Sequence, residues 1–458
     1  MLNMTAVYSR LLIFFLLISL QPVDVHKYLP EWESLDKRPL PQWYNDAKFG
    51  IFIHWGVFSV PAYGSEWFWQ HWQGDKKANY VQFVEKNYKP GWTYADFARD
   101  FTTEFYNPDE WAELFESSGA KYVVLTAKHH EGYTNWPSNV SFNWNSKAVG
   151  PNKDLVGMLA DSIRRKTNIH FGLYHSLYEW FHPLYLMDQA NKFKTNYFVK
   201  SKTMPELYEL VNTYKPEVVW SDGDWGTGPD YWESKKFIAW LYNDSPVRDS
   251  VVTNDRWGVG TMCQHGGVFT CQDRYNPGVI QKHRFENALN IDKNSFGYRR
   301  EADLSQYLTI EELIKTLAMT VSCNGNLLMN IGPRKDGKIS PIYEERLRQM
   351  GAWLKVNGEA IYNTQPWKRA NDTVSNDIWF TAKEKTVYGI LLKWPKTNNL
   401  QLGMIQPIQE TQVTMLGYQK TLHWQKRGLG GGISIEMPNI PLPLLPNPYA
   451  WVLKFEKL

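Results

Sequence analysis

Short runs of apolar, β-branched and aromatic residues alternate with amphipathic stretches through the first three quarters of the chain, and most of these runs stop on polar residues. The strand-like runs are Phe49 to Gly56, Tyr122 to Lys128, Ile169 to His175, Glu217 to Asp222, Val251 to Arg256, Phe269 to Arg274 and Leu327 to Ile331. Helix signals fall between them. Asn107-Pro108-Asp109-Glu110 sets a capping side chain, a proline and two acids at a helix start, where orphan N–H groups and the end dipole favour them. Helical periodicity also covers Asp154 to Arg165, Pro205 to Tyr214, Ile310 to Val321 and Glu344 to Lys355. Such alternation predicts a parallel sheet with crossover helices, so the expected fold class is α/β, a (β/α)8-like (TIM-type) barrel.

Beyond residue 363 the pattern changes to β-type pieces, Ile378 to Phe380, Val387 to Leu392 and Tyr449 to Phe455, punctuated by Gly and Pro. They predict a small C-terminal β-sandwich over residues 363–458, following a catalytic barrel over 27–362. The length of 458 residues suits one large and one small domain. Gly428-Leu429-Gly430-Gly431-Gly432 reads as a hairpin loop, since it lacks the Lys and the strand–helix setting of a phosphate loop.

At the start, one positive charge precedes the apolar run Leu11 to Leu20 and then a polar stretch, the layout of a signal peptide within residues 1–26. The run is short for a bilayer span, so no membrane anchor is expected. The chain should enter the secretory pathway, bound for the lysosome or the extracellular space. Sequons at Asn139, Asn243 and Asn371 agree with that route. A formal charge of +3 gives no field to gather nucleic acid or an anionic membrane, so neutral partners fit best. Aromatics make up 15% of the chain, and their faces serve core packing or the C–H faces of sugar rings; composition leaves both readings open. With only Cys263, Cys271 and Cys323, the chain is no disulfide scaffold; a Cys263–Cys271 pair and three buried thiols stand as alternatives.

The strand ends carry the chemistry. They read His54-Trp55-Gly56, Lys128-His129-His130-Glu131, Tyr174-His175, Trp220-Ser221-Asp222-Gly223-Asp224-Trp225, Asn254-Asp255-Arg256-Trp257 and Gln272-Asp273-Arg274. In a barrel of this type the C-terminal strand ends build the active site, so these groups should converge on one pocket. Carboxylates and imidazoles bond sugar hydroxyls, and Trp and Tyr cover an apolar ring face, so an uncharged polyol suits the set. Cleaving a glycoside takes two carboxyl groups, one protonated and one ionised. Asp222 is the natural anion, carried on a rigid strand and kept ionised by a cation such as Arg256. Asp224 is read as an outer acid. Histidines 54, 129, 130 and 175 match no helix-borne zinc spacing, and adjacent His129 and His130 on a strand should point to opposite faces, so no metal is expected.

The segments "KFGIFIHWGVFSVPAYGSEW" (Lys48 to Trp67), "AKHHEGY" (Ala127 to Tyr133), "VVWSDGDW" (Val218 to Trp225), "SPVRDSVVTNDRWG" (Ser245 to Gly258) and "NGNLLMNIGPRKDG" (Asn324 to Gly337) resemble the α-L-fucosidases of glycoside hydrolase family 29, close to animal lysosomal members. The resemblance covers essentially the whole chain after its leader. It implies a barrel plus β-sandwich, a retaining two-step hydrolysis of fucosylated glycans without metal or other cofactor, and often a homo-oligomer. Carried over, the nucleophile is Asp222, and fucose contacts are His54, Glu66, Trp67, His129, His130, Tyr174, Trp220 and Arg256, with Phe296 or Trp67 walling the sugar methyl. Two positions compete as acid/base: Asp273, directly after a candidate strand, and Glu286, expected in a loop. The other readings are a fucose-binding relative that has lost turnover, against which Asp222 argues, and a transfucosidase.

Overall fold

Residues rich in Val, Ile, Phe and Tyr form the strands of one parallel sheet: β1 (Phe49–Ile53), β2 (Tyr122–Lys128), β3 (His170–Ser176), β4 (Val218–Asp222), β5 (Val252–Thr253), β6 (Phe285–Asn290) and β7 (Gly325–Ile331). The computed structural model describes residues 27–428 and 430–458; the expected signal peptide lies outside them. The strand order is β5-β4-β3-β2-β1-β7-β6, with every pair parallel. Nearly every strand residue is buried, as a sheet covered on both faces requires. The sheet curls until its edges meet through residues 268–270. Val268 N–H donates to Thr253 O at 3.0 Å, and Glu286 N–H donates to Phe269 O at 2.9 Å. The predicted strand from Phe269 to Arg274 thus shrinks to a single bridge, Phe269 to Phe285, and the eighth stave of the barrel is a loop segment.

The period of two decides what points inward. Phe52, Val124, Tyr174, Trp220, Ala288 and Leu328 pack inside the barrel, while Ile51, Ile53, Val123 and Leu125 pack outward with the helical layer. That layer includes Pro108–Ser117, capped by Asn107 as predicted, and Leu155–Lys166, Met204–Tyr214, Ile310–Ser322 and Pro341–Asn357. A capping box from Thr309 and Glu312 starts the Ile310 helix.

The C-terminal strands are β8 (Gln365–Asn371), β9 (Ile378–Lys383), β10 (Thr386–Leu391), β11 (Asn399–Leu402), β12 (Gln412–Met415), β13 (Trp424–Lys426), β14 (Ile433–Glu436) and β15 (Trp451–Glu456). They form a five-stranded antiparallel sheet, β12-β15-β10-β9-β8, and a three-stranded one, β11-β14-β13, around a shared apolar core. The glycine tract joins β13 to β14. Trp353 donates to Ala450 O at 3.0 Å and Thr381 to Ala360 O at 2.7 Å, fixing this unit to the helical layer.

Candidate active site

Asp222 ends β4, two residues after inward-facing Trp220, so the strand's own period aims its carboxylate into the barrel mouth. Oδ2 accepts from the Tyr174 hydroxyl at 2.8 Å, and Oδ1 accepts from Arg256 at 3.1 Å. The same guanidinium reaches Asp273 at 2.6 Å, is braced through Nε by Thr270 Oγ1 at 3.0 Å, and lies over Trp220 at 4.7 Å. Burial works against its charge, but Asp222 and Asp273 outweigh burial and raise its affinity for the proton. Burial likewise raises the Tyr174 hydroxyl, with Asp222 adding to it, so Tyr174 remains a donor.

Three imidazoles line the same cavity as this anion, and hydrogen-bond partners set the tautomers of two of them. Asn330 Nδ2 donates to Phe296 O, which turns its carbonyl oxygen to His54 Nδ1 at 2.7 Å. An amide oxygen only accepts, so the His54 proton sits on Nδ1. Ser176 Oγ donates to Tyr178 O and therefore accepts from His130 Nδ1 at 2.7 Å. His129 Nδ1 faces Glu131 at 3.4 Å. The Nε2 lone pairs of His54 and His130 are thus left for a ligand's hydroxyl protons. Burial pushes His54 and His130 well below the usual histidine range, and the charges of His129 and Arg256 push the same way, which keeps both rings neutral acceptors. Glu66 spends Oε2 on Ser295 Oγ at 2.9 Å and the Phe296 and Gly297 N–H groups at 3.0 and 3.1 Å, leaving Oε1 free.

One cavity is lined by His54, Glu66, Trp67, His129, His130, Tyr174, Trp220, Asp222, Arg256, Asp273 and Phe296. Trp225, from the β4 strand end expected to face the pocket, lines it too, and Phe52 and Ala288, which sequence reasoning passed over, complete it. Phe52, Ala288 and Phe296 make an apolar patch beside the hydroxyl acceptors. Also passed over were Asn330 and Ser176, polar residues inside or ending otherwise apolar strands, which is the signal that could have found them.

Three expectations need correction. Glu286 lies on β6, not in a loop, one inward layer below Ala288. It accepts from Tyr44 and Tyr122 at 2.6 Å each and from Trp220 Nε1 at 2.8 Å, and it does not line the cavity. His129 and His130 do not diverge: the chain leaves β2 at Lys128, and the two rings lie 4.1 Å apart in the same cavity. His175 turns away to Glu206 at 3.0 Å, within a buried network of Lys128, Glu179, Lys202 and Glu206 behind the His129 turn. Of the sequons, Asn139 is exposed but bonds Glu209, Asn371 lies on β8, and Asn243 pairs its amide with both backbone groups of Tyr28. Cys263 and Cys271 form a disulfide, and Cys323 is buried and free.

A fixed carboxylate at the floor of a barrel mouth, with hydroxyl acceptors and an indole on its walls, places the protein among the glycoside hydrolases. The family model for α-L-fucosidase matches residues 16–359, and that for the α-L-fucosidase C-terminal domain matches 370–456. The chain belongs to the α-L-fucosidase family. It is 58% identical to an α-L-fucosidase of Branchiostoma floridae over 94% of this chain and 96% of that one. To human plasma α-L-fucosidase it is 56% identical, over 93% and 92%. The Thermotoga maritima α-fucosidase solved with a mechanism-based inhibitor superposes with a TM-score of 0.80 at 32% identity, over 94% of this chain and all of that one. No helix among the described residues is long and apolar enough to cross a membrane.

Proposed function

We infer that the protein removes terminal α-L-fucose from glycoproteins, glycolipids or oligosaccharides as a retaining exo-glycosidase, with Asp222 as nucleophile and Asp273 as acid/base. The observation that carries this reading is one guanidinium holding two carboxylates, Asp222 at 3.1 Å and Asp273 at 2.6 Å, in a single cavity. Two acids at the ends of one planar fork are in keeping with the spacing of a retaining pair, about 5–5.5 Å. Asp273 is 52% exposed, so it can reload a proton from solvent between cycles. Glu286 is spent on three donors beneath the cavity and has no path to a departing oxygen.

Asp222 attacks the anomeric carbon while Asp273 protonates the leaving oxygen, giving a fucosyl ester. Asp273, now a base, takes a proton from water as the water oxygen displaces Asp222 and releases fucose. The Nε2 atoms of His54 and His130 accept from ring hydroxyls, and the Phe52, Ala288 and Phe296 patch receives the methyl that fucose carries in place of a hydroxymethyl group.

Relatives named for plasma and tissue support entry to the secretory pathway with removal of residues 1–26. The same reading takes residues 27–362 and 363–458 as two domains, glycans on the sequons (at Asn243 only where its amide leaves Tyr28), and a homo-oligomer that light scattering would weigh.

The test is hydrolysis of an aryl α-L-fucoside by wild type and Asp222→Ala, with an aryl β-galactoside as control. Fucose-specific turnover that vanishes in the variant is expected. Folded wild-type protein that binds fucose without turnover would instead be a binding relative, and fucose appearing mainly on an added sugar acceptor would mark a transfucosidase.

A further inference from the structure

We propose that Asp255 and the Cys263–Cys271 disulfide form a clamp that positions Asp273 as the proton donor, an inference that rests on the acid/base reading above. Asp255 is fully buried and does not line the cavity. Its Oδ2 accepts from the backbone N–H groups of Cys263 at 2.7 Å and Cys271 at 3.2 Å, and its Oδ1 accepts from Thr270 Oγ1 at 2.6 Å. The disulfide joins the same two residues across a separation of eight. One carboxylate therefore holds both ends of a covalently closed loop, and Asp273 stands two residues beyond the closure.

The backbone on either side of Asp273 is not relaxed. Cys271 and Arg274 have φ of 56° and 59°, a left-handed conformation that non-glycine residues keep only where their surroundings impose it. Beyond Asp273, Arg274 N–H donates to Ala288 O at 2.9 Å and its Nε to Asn290 Oδ1 at 2.8 Å, so the far side is tied to β6. The Thr270 hydroxyl that donates to Asp255 also accepts from Arg256 Nε at 3.0 Å. Thr270 thus ties the clamp to Arg256, whose Nη2 holds Asp273 at 2.6 Å. A buried anion spent on loop N–H groups is costly unless those bonds are made, and here they aim a half-exposed acid that lies on no strand. Asp255 is a positioning residue, acting through the loop.

The experiment compares kcat/KM of Asp255→Asn, of Cys263→Ser/Cys271→Ser and of wild type treated with a thiol reductant, with Asp273→Ala beside them. Two substrates are used: α-L-fucosyl fluoride, whose leaving group needs no proton, and a fucosylated disaccharide, whose leaving oxygen does. A positioned general acid contributes about 10²–10⁴-fold, so the disaccharide rate should fall about 10²-fold in the clamp variants while the fluoride rate stays within a few-fold. Retained fluoride turnover also reports a folded cavity. Equal losses on both substrates, or no loss on either, overturn the clamp. If Asp273→Ala itself shows no split between substrates, the acid/base reading fails and the clamp with it; a split in Asp273→Ala alone sinks only the clamp.

Discussion

Asp224, two residues past Asp222, should contribute stability in acid that is lost at neutral pH. Its Oδ2 accepts from Gly258 N–H at 2.9 Å, while Oδ1 is buried without a partner. Burial pushes its carboxyl up from 3.8 to about 6, against the Gly258 bond and with help from the charge of Asp222. An unfolded chain gives up this proton near pH 3.8 and the folded protein near pH 6, so between those values the folded state binds more protons and stability falls as pH rises. The gap of about 2.2 pH units, at about 1.36 kcal/mol each, is about 3 kcal/mol over the whole titration; because the unfolded carboxyl is already more than half ionised at pH 4, about 2.4 kcal/mol of it is lost between pH 4 and pH 7. Asp224→Asn removes the titration and keeps an oxygen for Gly258. The difference in Tm, variant minus wild type, should therefore rise by about 2.5 °C from pH 4 to pH 7 in a chain of this size. Calorimetry of both proteins at the two pH values measures it. A difference in Tm that is the same at both would refute the argument.

Other substitutions probe the rest of the site. Arg256→Met leaves two acids without their shared cation, worth about 3–5 kcal/mol, and should lower kcat/KM by about 10²–10³-fold; Arg256→Lys should not restore it, because one ammonium does not reproduce the fork. Glu286→Gln cannot accept from all three donors as the carboxylate does, and should cost about 1–3 kcal/mol in thermal unfolding. Its kcat/KM should change by the same factor on the fluoride and the disaccharide; a selective loss on the disaccharide would return Glu286 to candidacy as the acid. Lys128→Met strips a cation from buried Glu179 and Glu206 and should cost about 3–5 kcal/mol of stability, read by denaturant unfolding, with KM for the aryl fucoside little changed.

Much of this site was legible because strand geometry is local. Once Phe52 and Trp220 face inward, a period of two carries His54 and Asp222 inward as well, and residues just past a strand's C-terminal end collect at the barrel mouth. The same rule misled at His129 and His130, because it holds only while the chain remains a strand, and the strand ends at Lys128. β6 escaped notice because Glu286, Asn287 and Asn290 dilute its apolar signal. Glu286 is tolerable there only because distant partners satisfy it: the Tyr44 hydroxyl that bonds it lies 242 residues away.

Periodicity, caps and the polar strand ends, all properties of neighbouring residues, determined the architecture and the strand that brings Asp222 to the barrel mouth. The cysteine pairing, the tautomers of His54 and His130, and the placing of Asp273 in the cavity with Glu286 beneath it were decided by tertiary structure alone. Each turns on which group the fold brings within bonding distance, and chain order carries no information about that distance.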